Sequence, residues 1–281
     1  MKEVTIISGR MNARVDPHLE IWHWEIPLYL FLGGLAAGIL FFAALSYLTR
    51  REEKTLTAVR KSPHLAVIAI FIGLIALLMD LNHKPYFWQL YTTIRIESPM
   101  SWGAWTLMLV TPLAVIWSAL HINSIFPSWE WKGWFKQLES FFNKRKKWIA
   151  WAILISSVIL GVYTGILFSA FNARPLWNTS ILGPLFLVSG LSTGAAMNIL
   201  LSRDHTEKQL FARIDLGLIG IELFLIVHMF MGFLASTQVQ IDAAGLFLGG
   251  PYTAAFWVLV VGMGLIFPAV LEILELKKYK N

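Results

Sequence analysis

The sequence predicts an all-α integral membrane protein whose seven transmembrane helices pack as two bundles related by a parallel internal repeat. Three observations carry that expectation. Apolar residues make up 57% of the chain against 14% charged, and the mean hydropathy is +0.62, far from the average of soluble domains. Seven apolar stretches are long enough to cross a bilayer core of roughly 30 Å at 1.5 Å per residue. Two motifs of the first half recur in the second, about 155 residues later. Since only helices and closed barrels satisfy the backbone in lipid, stretches of this length read as helices.

The first span opens in the aromatic and ionisable segment W-H-W-E-I-P-L-Y-L-F-L-G-G-L-A-A-G, Trp22–Gly38, and runs without a charge from Ile26 to Leu48. The others are expected at Pro63–Met79, Trp102–His121, Trp148–Phe171, Ile181–Leu201, Ile214–Ser236 and Tyr252–Leu274. The second is short. The sixth, carrying Asp215, Glu222 and His228, is the least lipid-like. Residues 1–24 read as an extension, and residues 1–20 have no apolar core of a signal peptide. The remainder, 25–281, reads as one polytopic domain, with a first bundle over about 25–171 and a second over about 178–276.

Two echoes define the repeat. Gly34-Leu-Ala-Ala-Gly38 in the first span returns as Gly190-Leu-Ser-Thr-Gly194 in the fifth. Pro99-Met-Ser-Trp-Gly-Ala-Trp105 returns as Pro251-Tyr-Thr-Ala-Ala-Phe-Trp257. Each pair enters the membrane in the same direction, as a repeat about the membrane normal requires. Repeating the first four spans calls for an eighth after the seventh, so either the second half is shorter or the sequence is cut off at Asn281. Gly34/Gly38, Gly161/Gly165 and Gly190/Gly194 are small-xxx-small pairs that let helix backbones approach closely.

Basic residues set the orientation. Of the 23 lysines and arginines, all but Lys2, Arg10, Arg14, Lys84, Arg95 and Arg174 fall on one side of this seven-span arrangement. The positive-inside rule then puts the N-terminus outside and the C-terminus inside. The net charge of +6 reads as topology with contact to anionic membrane lipids, and not as nucleic-acid binding.

On the basic-poor side His23, Glu25, Asp80 and His83 gather near the membrane boundary, where an unpaired charge is costly. On the first helix Trp22, Glu25, Tyr29 and Gly33 share a stripe expected to line a cavity that narrows at Gly33. In the sixth span Asp215 and Glu222 lie two turns apart on one face, and with His228 they suggest a stepwise proton path. The absence of cysteine excludes thiolate-ligated iron–sulfur clusters and C-x-x-C-H haem attachment. No nucleotide-binding or metalloprotease signature is present. His64 and His121 read as residues of the basic-side interface, and no metal site is expected.

The chain resembles the NrfD/PsrC family, the quinone-interacting membrane subunits of polysulfide-reductase-type respiratory complexes. The residues that carry the resemblance are Trp22–Gly38, D-L-N-H-K-P-Y-F-W at Asp80–Trp88, S-P-M-S-W-G-A-W at Ser98–Trp105, Tyr163, and N-A-R-P-L-W-N at Asn172–Asn178. The resemblance implies two four-helix bundles in a bacterial or archaeal cytoplasmic membrane. It also implies a quinone, menaquinone or ubiquinone, bound near the outer face, with no haem or iron–sulfur cluster held by this chain. Tyr29 and Tyr163 match quinone-contacting positions and Asp80 a recurrent acidic one, with His23, Glu25 and His83 adjacent. Ile26 and Tyr29 stand where one branch of the family has polar residues, and the family's last helix has no match here.

The implied partners are a four-cluster ferredoxin-like iron–sulfur subunit and a catalytic subunit, such as a molybdopterin enzyme or a multihaem cytochrome. Trp88, Trp102, Arg174 and Trp177, in the outer loops, mark the docking surface. Quinone chemistry needs hydrogen-bond donors to the ring oxygens and a titratable group for protons, which these residue types supply. Two other functions fit less of the pattern. A b-type cytochrome anchor would need paired histidines within the membrane. A secondary transporter would favour inverted repeats and broken helices.

Overall fold

The computed structural model describes residues 23–278, so residues 1–22 of the N-terminal extension, Trp22 among them, lie outside the described residues. Seven helices there are long and apolar enough to cross a membrane, and among the described residues there is no strand. Helix α1 spans Glu25–Leu48, its Pro27 confined to the first turn, where a missing N–H costs nothing. It ends in a Schellman turn: Arg51 N–H donates to Ser46 O at 2.9 Å and Arg50 N–H to Tyr47 O at 3.1 Å. Arg50 takes the left-handed conformation, φ 56°, that such a turn usually gives to glycine.

The second span is longer than expected, Thr57–Asp80, a π turn (Thr57–Lys61) leading into α2 (Ser62–Asp80). The cause is remote in sequence. Glu207, buried at the start of the sixth span, accepts hydrogen bonds from Ala58 N–H at 2.9 Å, Thr57 N–H at 3.3 Å and the Ser202 hydroxyl at 2.8 Å. A carboxylate on these free N–H groups is a cap supplied by another helix. Pro63 cannot donate to Val59 O, which instead accepts from the Trp117 indole at 3.0 Å. Ser62 completes the seam with a 2.5 Å bond to Asn198 Oδ1.

Short helix α3 (Gln89–Thr92) precedes α4 (Pro99–Leu120), and α5 (Trp134–Lys144) precedes α6 (Lys146–Ser169). The latter half holds α7 (Leu182–Leu201), α8 (His205–Leu234) and α9 (Gln238–Gly245). A π-wound segment, Ala255–Ile266, then passes into α10, Phe267–Lys278. Helix α8 starts nine residues before the expected span because Asp204 caps it, accepting from Glu207 N–H at 3.1 Å.

The packing partners define the architecture. Helices α1, α2, α4 and α6 close a ring, while α7 lies against α1 and α6, α8 against α7, and α10 against α8. Ala36, Ala37, Gly38, Ala43 and Ala44 are buried, as the crowding of α1 on three sides requires. The two glycine motifs meet each other at the α1–α7 crossing. A methyl group built at Gly38 would stand 2.0 Å from the Gly190 carbonyl oxygen, and one at Gly194 2.4 Å from the Gly38 carbonyl carbon. Gly34 faces Gly190 and Gly38 faces Gly194, so the copies cross in parallel and in matched register. Gly161 and Gly165 likewise seat α6 on Leu187, Leu182 and Gly183 of α7.

Candidate functional site

Tyr29 of α1 and Tyr163 of α6 are the centre of the site. Both are buried, and their hydroxyls lie 2.7 Å apart. Two glycines make room for them. A methyl group at Gly73 of α2 would stand 3.4 Å from Tyr29 Cδ2, and one at Gly103 of α4 only 2.3 Å from Tyr163 Cε2. Gly103 therefore cannot carry a side chain while Tyr163 keeps its place. Gly33, expected as the constriction, has nothing within 4 Å of a Cβ position. It faces open space because the helix stripe through Glu25 and Tyr29 turns outward before reaching it.

The tyrosine pair faces a cavity of about 130 Å³ at the basic-poor end of the four-helix ring. Its lining includes Ile26, Asp80, Leu90, Tyr91, Met100, Gly103 and Phe168. In such a pair one hydroxyl donates to the other, which leaves a single O–H to donate to a third group. Asp80, the last residue of α2, is the acid of the cavity, and the charges of Glu25 and His23 act on it. Glu25 Oε2 is buried with no hydrogen-bond partner among the described residues. His23 and His83 are exposed at the same end. Tyr91 of α3 was not singled out from the sequence, and burial raises its phenol above the ordinary value.

The surface above the cavity is unusually apolar for a loop. Tyr86, Phe87, Trp88, Ile94 and Ile96 are all exposed. Trp88 and Trp102 are half-exposed, and the Trp102 indole donates to Ile96 O at 2.8 Å. Trp177 packs inward on Phe168, ring centroids 4.9 Å apart, with the Arg174 guanidinium 5.8 Å above its own ring.

The acidic residues of α8 form a separate group. Asp215 and Glu222 are buried, and Asp215 Oδ1 accepts from Ser192 of α7 at 2.6 Å. Glu222 has Ser189 beside it, and Glu272 of α10 reaches Asp215. Glu272 was missed in the sequence because it sits near the charged end of the last apolar stretch. His228 does not join them. It is exposed and stacks on Phe224 at 5.8 Å, because six residues from Glu222 is well off the same helix face.

At the basic-rich end His121 is buried and donates from Nδ1 to Trp117 O at 2.8 Å, while His64 Nε2 lies 3.3 Å from His121 O. Burial, with the Lys146 ammonium beside it, pushes His121 down to about 4. Among the described residues no three His, Cys, Asp or Glu side chains are grouped to hold a metal ion.

Residues 11–280 match the family Polysulphide reductase, NrfD. The chain is 31% identical over 272 residues to Protein NrfD of Escherichia coli K12, covering 91% of this chain and 86% of that protein. It is 30% identical over 264 residues to a polysulfide reductase chain of Wolinella succinogenes, covering 90% and 83%. The chain belongs to the NrfD family. A weaker likeness, 27% over 183 residues, covers 64% of this chain and 48% of a tetrathionate reductase subunit of Salmonella typhimurium. With seven apolar helices of spanning length and NrfD membership, this is a multi-pass membrane protein.

Proposed function

We propose that this NrfD-family protein is the membrane subunit of a respiratory reductase complex, and that it exchanges electrons and protons with a membrane quinone at the Tyr29–Tyr163 cavity. The observation that carries the reading is the buried hydroxyl pair, 2.7 Å apart, facing an apolar space whose acid is Asp80. Two relatives support the complex, since one is a chain of polysulfide reductase and the other a subunit of tetrathionate reductase.

A quinone takes up or releases two electrons and two protons, so a site for it needs a donor at a ring oxygen and a group that exchanges protons. The tyrosine pair offers its one free O–H to a ring oxygen. Asp80 takes or supplies a proton, and Glu25, His23 and His83 pass it to the aqueous phase of the basic-poor side. Apolar residues such as Ile26, Leu107 and Leu167 keep water from the hydroxyls and strengthen the hydrogen bond they make. Without cysteine the protein cannot hold an iron–sulfur cluster through thiolates. The electrons pass to or from a docked subunit, which the resemblance to polysulfide-reductase-type complexes makes an iron–sulfur protein joined to a catalytic subunit. The exposed aromatic loop around Trp88, with Trp102 in the first turn of α4 and Arg174 beside Trp177, is the surface that receives it. By the positive-inside rule this side is the outer face of a cytoplasmic membrane. Asp215 and Glu222, with Glu272, hold protons inside the second half and form a path across it.

The reading is tested by replacing Tyr163 with Phe in the protein expressed with its companion subunits. Quinol-linked electron transfer is expected to fall at least about tenfold, as loss of a hydrogen bond worth about 1.4 kcal/mol or more requires. Unchanged transfer with the subunits assembled would remove the tyrosine pair from the chemistry.

A further inference from the structure

The cavity at the tyrosine pair holds about 130 Å³, less than the roughly 300–1,000 Å³ usual for small-molecule sites. A second space begins on the other side of Tyr163. It is a groove of about 660 Å³ between α4 and α6, lined by Trp102, Trp105, Leu109, Val158, Ile159 and Tyr163 among others. Helix α4 turns Met100, Gly103, Ala104 and Leu107 to the cavity, and Pro99, Trp102, Thr106 and Leu109 to the groove. Tyr163 lines both, so its ring is the partition, and it stands there because Gly103 has no side chain.

The groove opens sideways to the bilayer. Trp102, Leu109, Ile159 and Ile166 are half-exposed along it. Its one charged lining residue is Glu97 at the mouth. A water-soluble ligand gains nothing in such a groove, whereas a long hydrocarbon tail loses little by leaving lipid for it. The occupant must also end at a buried hydroxyl pair, which selects a lipid-like molecule with a small polar head.

We propose that the α4–α6 groove receives the polyisoprenoid tail of the quinone, and that the head passes between the helices at the Gly103–Tyr163 contact to reach the hydroxyls. The proposal rests on the quinone reading above. It makes Leu109, Val158 and Ile159 determinants of tail-length preference with no part in the redox step. It also accounts for the small cavity: the head sits beside the hydroxyl pair and the tail lies in the groove, so that one ligand occupies both spaces, with Tyr163 lining each.

The test compares menaquinone-4, with four isoprene units, and menadione, with none. Each is titrated into the assembled complex in nanodiscs, with binding followed by quenching of tryptophan fluorescence. Filling the groove by Leu109→Phe together with Val158→Phe should weaken menaquinone-4 about tenfold and menadione by no more than about twofold, a difference set by lost tail contacts alone. Equal weakening of both quinones, or no change in either, overturns the groove. Binding of neither quinone by the wild-type complex overturns the quinone reading itself, and the groove with it. A second measurement does not depend on the variant folding. A menaquinone with a diazirine on its terminal isoprene should crosslink to the Trp105–Leu109 or Val158–Ile166 peptides. Labelling confined to α2, α8 or α10 would leave a quinone site standing and remove this berth.

Discussion

The two halves of the molecule share a glycine motif and differ in closure. Helices α1, α2, α4 and α6 form a ring, each packed on two neighbours within it, whereas α7, α8 and α10 form an open row with α10 resting on α8. Closure creates an interior, and the ring keeps a cavity lined by tyrosine hydroxyls and one acid at its basic-poor end. The buried polar groups of the open row include the carboxylates Asp215 and Glu222, set against Ser192 and Ser189 of α7, with Glu272 of α10 reaching Asp215. Exposed Phe224, Val227, Met231, Val258 and Met263 give the rest of that half to lipid. A site for a bulky ligand belongs to the ring, and sites that hold only protons suit the row.

The seam between the halves is where the comparison breaks most easily. Gly38→Leu drives a side chain into the Gly190 carbonyl, 2.0 Å from where the Cβ would lie. The protein should fail to accumulate in the membrane, since overpacking on this scale costs several kcal/mol. Gly33→Ala, with open space around it, should accumulate as the wild type does. Western blots of membrane fractions decide between these outcomes.

Next in size is the partition of the ring. Gly103→Ala puts a methyl 2.3 Å from Tyr163 Cε2 and should lower quinol-linked electron transfer about tenfold to a hundredfold by displacing the ring, on the scale of about 1.4–2.7 kcal/mol. Retained activity would show that the position of Tyr163 is not critical. Third is the tie across the halves at the basic-rich end. Glu207→Gln leaves one acceptor oxygen for three donors and should cost about 1–3 kcal/mol, seen as a lower thermal midpoint with the quinone site intact.

In the open row, Glu222→Gln should slow turnover or alter the number of protons moved per electron. Identical values for both would sink the proton path. A pH-dependent effect concerns His121, held down to about 4 when folded, below its ordinary value near 6.5. The unfolded polypeptide then takes up the proton first, so this group costs no stability above about pH 6.5 and progressively more as pH falls toward 4. His121→Gln should flatten that part of the thermal-midpoint profile between pH 6.5 and 4.

Much of the fold was legible because apolar length and repeated small residues are properties of single stretches. The echo marked Gly34-x-x-x-Gly38 and Gly190-x-x-x-Gly194 as packing motifs, and the structure adds that the two cross each other. The start of the second span could not be anticipated, because its cap is Glu207, 150 residues away from Thr57. Loop helix α5 was overlooked although Trp134, Phe135, Leu138, Phe141 and Phe142 repeat at helical spacing. At the site, Asp80 and Tyr29 were legible from their places at the basic-poor boundary, Tyr163 through family resemblance, and the structure brings all three to one cavity. Gly103 stood within a quoted motif, yet its role depends on where the Tyr163 ring falls, which no local pattern encodes. Tyr91 and Glu272 were passed over because each lies at the edge of an apolar stretch, where polar residues are ordinary.

The central claim is that Tyr29 and Tyr163 act as one donor to a bound quinone. Quinone affinity of the assembled complex in nanodiscs, measured for the wild type, Tyr29→Phe, Tyr163→Phe and the double variant, tests it most directly. Each single variant should bind about tenfold more weakly, and the double variant should be little worse than either, since one broken pair cannot be broken twice. Wild-type affinity in all three variants would contradict it.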